Sequence, residues 1–146
     1  MARLDGTMNR KYRQMLAYTS QTDNTAIVGT IIDTADAAEV TLLVHIHAAA
    51  DADTTITALL EDGDNSGLSD NAAVADAYLF GTEAGMALQF DSETKVAKIG
   101  YRGSKRYIRL TLTPANNTGS LTLSGIAVLG YTYKNANTTQ LQTNAA

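Results

Sequence analysis

The sequence predicts an all-β fold, a two-sheet β-sandwich of jelly-roll type, and three observations carry that prediction. Apolar and polar residues alternate through several short runs, the period of a half-buried strand. Clusters of Gly, Asn, Asp and Ser punctuate those runs at regular intervals. No long helical segment separates the strands, as a parallel α/β fold would require. A chain of 146 residues suits a single core domain, and the organisation reads as a basic N-terminal arm over 1–25, a sandwich over 26–134 and a polar, flexible C-terminal tail over 135–146.

In the arm, Met8, Tyr12, Met15 and Leu16 recur near helical spacing, with Arg10, Lys11, Arg13 and Gln14 between them and Thr7 placed to cap. Two or three helical turns are therefore expected, outside the core. Deleting residues 1–20 should then leave a folded domain with weakened attachment to its partner. Ala26–Asp33 is the first strand candidate and Glu39–His47 the second, with Leu42, Val44 and Ile46 on one face and Thr41, Leu43, His45 and His47 on the other. Thr54–Glu61 is the third. Asp70–Tyr78 is Ala-rich with Asp70 as an N-cap, which suggests a helical crossing. Leu79–Thr82 and Met86–Phe90 read as short extended pieces, and Lys95–Tyr101 returns to alternation.

The clearest stretch is Lys105–Thr113 followed by Ser120–Tyr133. Ile108, Leu110 and Leu112 share one face, while Tyr107, Arg109, Thr111 and Thr113 take the other. Pro114 is expected to end the ladder by withholding an N–H, and Asn116, Asn117 and Gly119 tolerate the positive φ of a reversal. The pattern predicts a β-hairpin. Gly125 and Gly130 in its second arm mark a bulge or a close backbone approach.

Charge is sharply partitioned. Gln14–Thr94 holds fourteen Asp or Glu and no Lys or Arg, whereas Lys95 onward holds seven Lys or Arg and no acid. Either the two halves pair and neutralise each other, or the molecule has a negative pole and a positive surface. The net charge of −4 and the lack of a recognisable module argue against bulk nucleic-acid binding. With no cysteine there is no disulfide and no thiolate chemistry. No apolar run approaches a membrane span and no signal peptide is visible, so assembly in a reducing cytoplasm is expected.

Two constellations invite a metal reading. His45 and His47 lie at i and i+2 on one strand face, where a shared ion is one option and surface or interface histidines the other. Asp62, Asp64 and Ser66, followed by Gly67 and by Asp70, copy the opening of an EF-hand loop. The twelfth position is Ala73 rather than a bidentate Glu, and Asp, Asn, Ser and Gly are also what turns are made of. The loop is a calcium candidate only in a looser, non-EF form. No cofactor is called for, and nothing selects a nucleophile, base or carboxylate pair, so a catalytic role is not expected.

The runs LLEDGDNSGLSD, LFGTE, KIGYRGSKRYIRLTLTPANNTG and SGIAVLG, spanning about residues 26–133, resemble a family of small structural proteins of tailed bacteriophages that decorate, or cement, the capsid head. That resemblance implies a non-catalytic β-sandwich on the outer surface of the virion. It would bind the major capsid protein and associate as a homo-oligomer, a dimer or a trimer. Arg10, Lys11, Tyr12, Arg13, Tyr18, Tyr131 and Tyr133, in or beside the terminal segments, are the expected interface residues, tyrosine suiting half-wet contacts. A tail or connector component is the nearest alternative. A cation-dependent carbohydrate-binding module is a second, disfavoured by the lack of tryptophan.

Overall fold

A computed structural model describes residues 10–35 and 37–131. The described chain is an all-β sandwich of two antiparallel sheets. Its strands are β1 (Arg10–Gln21), β2 (Ile27–Val28), β3 (Ile32–Asp33), β4 (Ala37–Ala49), β5 (Thr55–Gly63), β6 (Ala72–Ala73), β7 (Leu79–Phe80), β8 (Val96–Tyr101), β9 (Tyr107–Ala115) and β10 (Leu121–Tyr131). The first sheet has the order β1-β10-β4-β8-β7 and the second β2-β9-β5-β6, with β3 also on β9. Single 3-10 turns at Asp76–Tyr78, Ala84–Met86 and Phe90–Ser92 are the only helical pieces among the described residues.

The core is what the alternation dictates. Val40, Leu42, Val44 and Ile46 of β4 point inward with Leu121, Leu123, Ala127 and Leu129 of β10, against Ile56, Leu60, Ile108, Leu110 and Leu112 of the second sheet. Each of these side chains is at most 8% exposed, so the apolar faces of both sheets are removed from water, the dominant favourable term in folding.

Five expectations are corrected. Residues 10–21 are not a helical arm but the edge strand β1, paired with β10 from Arg10↔Gly130 to Gln21↔Leu121. Two register shifts, at Gln14/Leu16 and Leu16/Thr19, insert extra residues into β1. Such bulges break the period of two and let the adjacent Met15 and Leu16 both be buried, at 0% and 2% exposure. The spacing that looked helical is that of a bulged strand. The segment Ala26–Asp33 is two short strands separated at Gly29, rather than one.

The hairpin is the second large correction. β9 and β10 belong to different sheets, so residues 116–120 carry the chain across the sandwich. Asn116 does take a positive φ of 56° there. Asn117, 2% exposed, fixes the crossing. Its Nδ2 donates to the Asp23 carbonyl (3.1 Å), its Oδ1 accepts from Thr54 Oγ1 (3.1 Å), and its N–H donates to Asn24 Oδ1 (2.8 Å). Pro114 does not end the ladder; it lies inside β9 opposite Ile56. Ile56 donates its own N–H away from β9, to the Leu88 carbonyl. The pair is thus a non-hydrogen-bonded one, and the missing N–H of Pro114 faces out of the β5 ladder at no cost.

The Ala-rich segment after Asp70 holds β6 and one 3-10 turn, not a helical crossing. Charges from the two halves of the sequence meet in Lys105–Asp64, Arg106–Asp33 and Arg109–Glu61 pairs at 2.5–3.0 Å, and Arg10 of the basic N-terminal segment pairs with Glu39 at 2.9 Å. For these residues the partition serves mutual neutralisation across the sheets.

Loop carboxylates supply an acid-sensitive set of staples. Asp51 is held below the usual carboxylate range by Thr118, whose hydroxyl and N–H donate to it, and Asp33 by Arg106. Asp70 is lowered by the N–H groups of Asp64 and Asn65, and Asp23 by that of Thr25. A depressed folded pKa contributes stability that is present above the unfolded value, near 3.9, and lost as pH falls through the folded value. Thermal melts should therefore show a flat Tm between about pH 7 and 5 and a fall below about pH 4, and Asp70→Asn should flatten that acid limb.

Candidate docking face

The outer face of the five-stranded sheet is the most distinctive surface of the molecule. Register places its outward residues in rows. Tyr12, Val128, Thr41 and Gly100 form one row, Gln14, Ile126, Leu43 and Lys98 the next, and Ser124, His45 and Val96 the third. Polar residues should dominate an outward face that only meets water. Here Ile126 is 41% exposed, Val96 58%, Phe80 65% and Tyr18 66%, half of the exposed large apolar side chains among the described residues. Leu43 is half-buried between Ile126 and Lys98.

An aromatic–imidazole chain crosses one end. The Tyr18 ring lies 5.3 Å from that of His47, which meets His45 edge-on at 4.5 Å. His47 Nε2 shares a hydrogen bond with Ser124 Oγ (2.8 Å), and His45 Nε2 lies 3.1 Å from the Glu93 carbonyl. The two Nε2 atoms thus engage different partners and do not converge on one point. Among the described residues no group of three His, Asp or Glu side chains gathers as a metal site.

At the other end Arg10 and Glu39 face each other across Gly130, which registers with both, and their side chains pair at 2.9 Å. A Cβ on Gly130 would sit 3.0 Å from Glu39 Oε2, so the glycine leaves the gap that the pair spans. Between Glu39 and Glu93, which takes the Ala49 N–H on its Oε1, the rows carry no carboxylate. In a chain of net charge −4 this is a conspicuous gap.

The sequence-predicted interface residues distribute unevenly. Tyr12 and Tyr18 stand on this face and Arg10 closes its end. Lys11 and Arg13 register with Leu129 and Ala127, on the opposite side of β1, where the charge of Arg13 helps to lower the Asp33 pKa. Tyr131 pairs through its backbone with Ala37, and Tyr133 lies outside the described residues, as does the tail. Sequence reasoning missed Phe80, Val96, Leu43 and Ile126 as surface features. The available signal was an apolar residue at a polar-phase position, Leu43 between Thr41 and His45 and Ile126 between Ser124 and Val128.

The Asp62–Asp70 loop is built on protein donors. It follows β5, not a helix. The Asp70 carboxylate takes the N–H groups of Asp64 (2.9 Å) and Asn65 (3.1 Å) and packs where a Cβ of Gly63 would be. Asp64 binds Lys105, Asp62 accepts the Tyr101 hydroxyl at 2.8 Å, and Ser66 is exposed. Burial and the Asp62 charge push the Tyr101 phenol well above its ordinary pKa, so it stays a donor. Asp62, Asp64 and Asp70 each serve a different protein partner, which is a turn's use of carboxylates rather than a cation's. Compared with known proteins, the chain matches no family model, no curated protein and no solved structure.

Proposed function

We propose that this protein is a structural component of a tailed-phage virion that decorates the capsid shell, with the outer face of the five-stranded sheet seated on major capsid subunits. The observation that carries the reading is that face, which exposes Ile126, Val96, Phe80 and Tyr18 and is free of carboxylates between Glu39 and Glu93. Five strands about 4.8 Å apart and up to about 40 Å long offer on the order of 800 Å², the per-partner area of a standard specific interface. The sequence resemblance supplies the partner class.

The mechanism is mechanical. A rigid sandwich lays a preformed sheet over shell subunits, so little ordering entropy opposes docking. Burial of Ile126, Val96, Phe80 and Tyr18 supplies the apolar term, and Tyr18, His47 and Ser124 offer polar contacts at its margin. Repetition over the lattice, and association between copies, multiplies moderate contacts into resistance against internal pressure.

The test is the copy number of the chain in purified virions relative to the major capsid protein, by quantitative mass spectrometry. Hundreds of copies in a simple ratio to the shell protein are expected. A handful or a few dozen would move the protein to the tail or connector, and absence from virions would end the structural reading.

A further inference from the structure

The first sheet ends on an unfinished line. β7 is two residues long, and Leu79 and Phe80 cover only Tyr101 and Gly100 of β8. The Arg102 N–H donates to the Tyr78 carbonyl (2.9 Å), which fixes the phase of the ladder. Alternate residues of an antiparallel strand direct their N–H and C=O to the same side. Lys98 and Val96 are therefore next in line, and among the described residues no hydrogen bond reaches their backbone on that side. The chain leaves the line at Gly81, whose φ of +89° suits glycine and whose missing Cβ would touch nothing within 4 Å. Glycine is there to turn the backbone away.

The open edge is flanked by space. A half-open cavity of about 740 Å³ lies beside Phe80, Gly81 and Lys98, and another of about 420 Å³ separates Val96–Lys98 from Met86, Ala87 and Leu88. The charged side chains around this edge are mostly cationic: Lys95, Lys98 and Arg102. Lys98 has no ion-pair partner among the described residues, and Lys95 reaches Asp91 only at 3.9 Å. Arg102 is clamped by Nε and Nη2 donation to the Ala77 carbonyl (2.9 and 2.7 Å), with its guanidinium 5.0 Å from the centre of the exposed Phe80 ring. Glu39, the one acid among the described residues lining either cavity, is bonded to Arg10.

We propose that the edge of β8 at Val96–Lys98 receives an extended acidic segment of a partner protein by strand addition, continuing the line that β7 begins. The incoming backbone would pair with Lys98 and Val96. Its side chains would alternate between the two faces of the sheet. Those on the outer face meet Lys98, Arg102 and Phe80 and call for carboxylates, while those on the inner side meet Met86, Ala87 and Leu88 and call for small apolar groups. The expected partner pattern is thus acidic–apolar–acidic–apolar. The inference goes beyond the decoration reading and holds whether the partner belongs to a shell, a tail or neither.

The probe is an acetylated, amidated peptide of three Glu-Val repeats, titrated into the ¹⁵N-labelled full chain, with a Lys-Val peptide beside it. The Glu-Val peptide should shift the Val96 and Lys98 amides and slow their hydrogen exchange, and the Lys-Val peptide should not. Val96→Pro, which removes an outward N–H, should weaken binding about tenfold. Lys98→Glu, at an exposed position, should weaken the Glu-Val peptide similarly and admit the Lys-Val peptide, which keeps the test decisive if the proline variant does not fold. Four results would overturn the proposal: no shift at millimolar peptide, equal binding of both peptides, shifts centred on His45 and Ile126, or edge protection in the free protein that grows with its own concentration. The virion count does not bear on any of them.

Discussion

Gly29→Ala should lower the unfolding free energy by roughly 2–4 kcal/mol, a loss large for one methyl group. Gly29 joins the two sheets. Its N–H donates to the Leu110 carbonyl of β9 (2.9 Å), and the next residue, Thr30, donates its N–H to the Met15 carbonyl of β1 (2.8 Å). A Cβ at position 29 would lie 2.5 Å from the Leu110 oxygen and 3.2 Å from that of Met15. Both obstacles are backbone, so no side-chain rotation relieves the clash. Either the seam opens or a strand shifts, and both Leu110 and Met15 are fully buried. Urea denaturation should show a lower midpoint with an unchanged slope. Gly67→Ala is the control, because its Cβ would meet only Asn65 Oδ1 at 3.4 Å, and it should fall within about 0.5 kcal/mol of the parent. Equal effects at the two positions would mean that the seam is not tight.

The same seam explains how a long edge strand is kept from pairing indiscriminately. β1 runs along the open side of its sheet for twelve residues. Thr30 takes two of its carbonyls, with the N–H on Met15 and the hydroxyl within reach of Gln14 at 2.8 Å, and the Thr19 hydroxyl takes that of Ala17 at 3.0 Å. Bulges and basic side chains complete the protection. The β8 edge also carries basic side chains, Lys95 and Lys98, but among the described residues it has neither a bulge nor a hydrogen bond on its open side, a contrast that leaves its backbone free for a strand from outside.

What was legible in the sequence follows from what alternation encodes. In β4 and β9 one face is buried and the other is not, so Leu42, Val44 and Ile46, like Ile108, Leu110 and Leu112, could be assigned to the core from the period alone. Alternation fixes a strand's faces but not its neighbour. β9 and β10 carry compatible patterns and a turn-forming connection, yet the hydrogen bonds of Asn117 to Asp23 and Thr54 commit that connection to crossing the sandwich. β1 was unreadable because its bulges destroy the period. For the Asp62–Asp70 loop, the composition of a cation loop and of a stapled turn is the same; the difference is that the Asp70 carboxylate rests over Gly63, which is a fact of three dimensions. The docking face was half legible, since Leu43 and Ile126 stood out of phase. Phe80 needed the register with Gly100 to place it on the same surface.

Removing residues 1–20 should abolish folding, the reverse of what a detachable arm would allow. The truncation takes all but Gln21 of β1 and leaves the eleven residues of β10 as a bare edge. It removes Met15 and Leu16, at 0% and 2% exposure, from a core whose other members cannot collapse onto the vacancy without moving β10. Truncating one such side chain to alanine costs about 2–5 kcal/mol, and a domain of this size has only about 5–15 kcal/mol in hand. Thr30 loses the carbonyls that hold the seam, and Glu39 loses Arg10. Far-UV circular dichroism and size exclusion on the truncated chain should show loss of the native β signal and aggregation through the uncovered edge. Met15→Ala in the full chain should fold with reduced stability by the same argument, which separates loss of the strand from loss of one side chain. A soluble truncated chain with native dispersion would mean that β10 can serve as an edge and that β1 is an attachment after all.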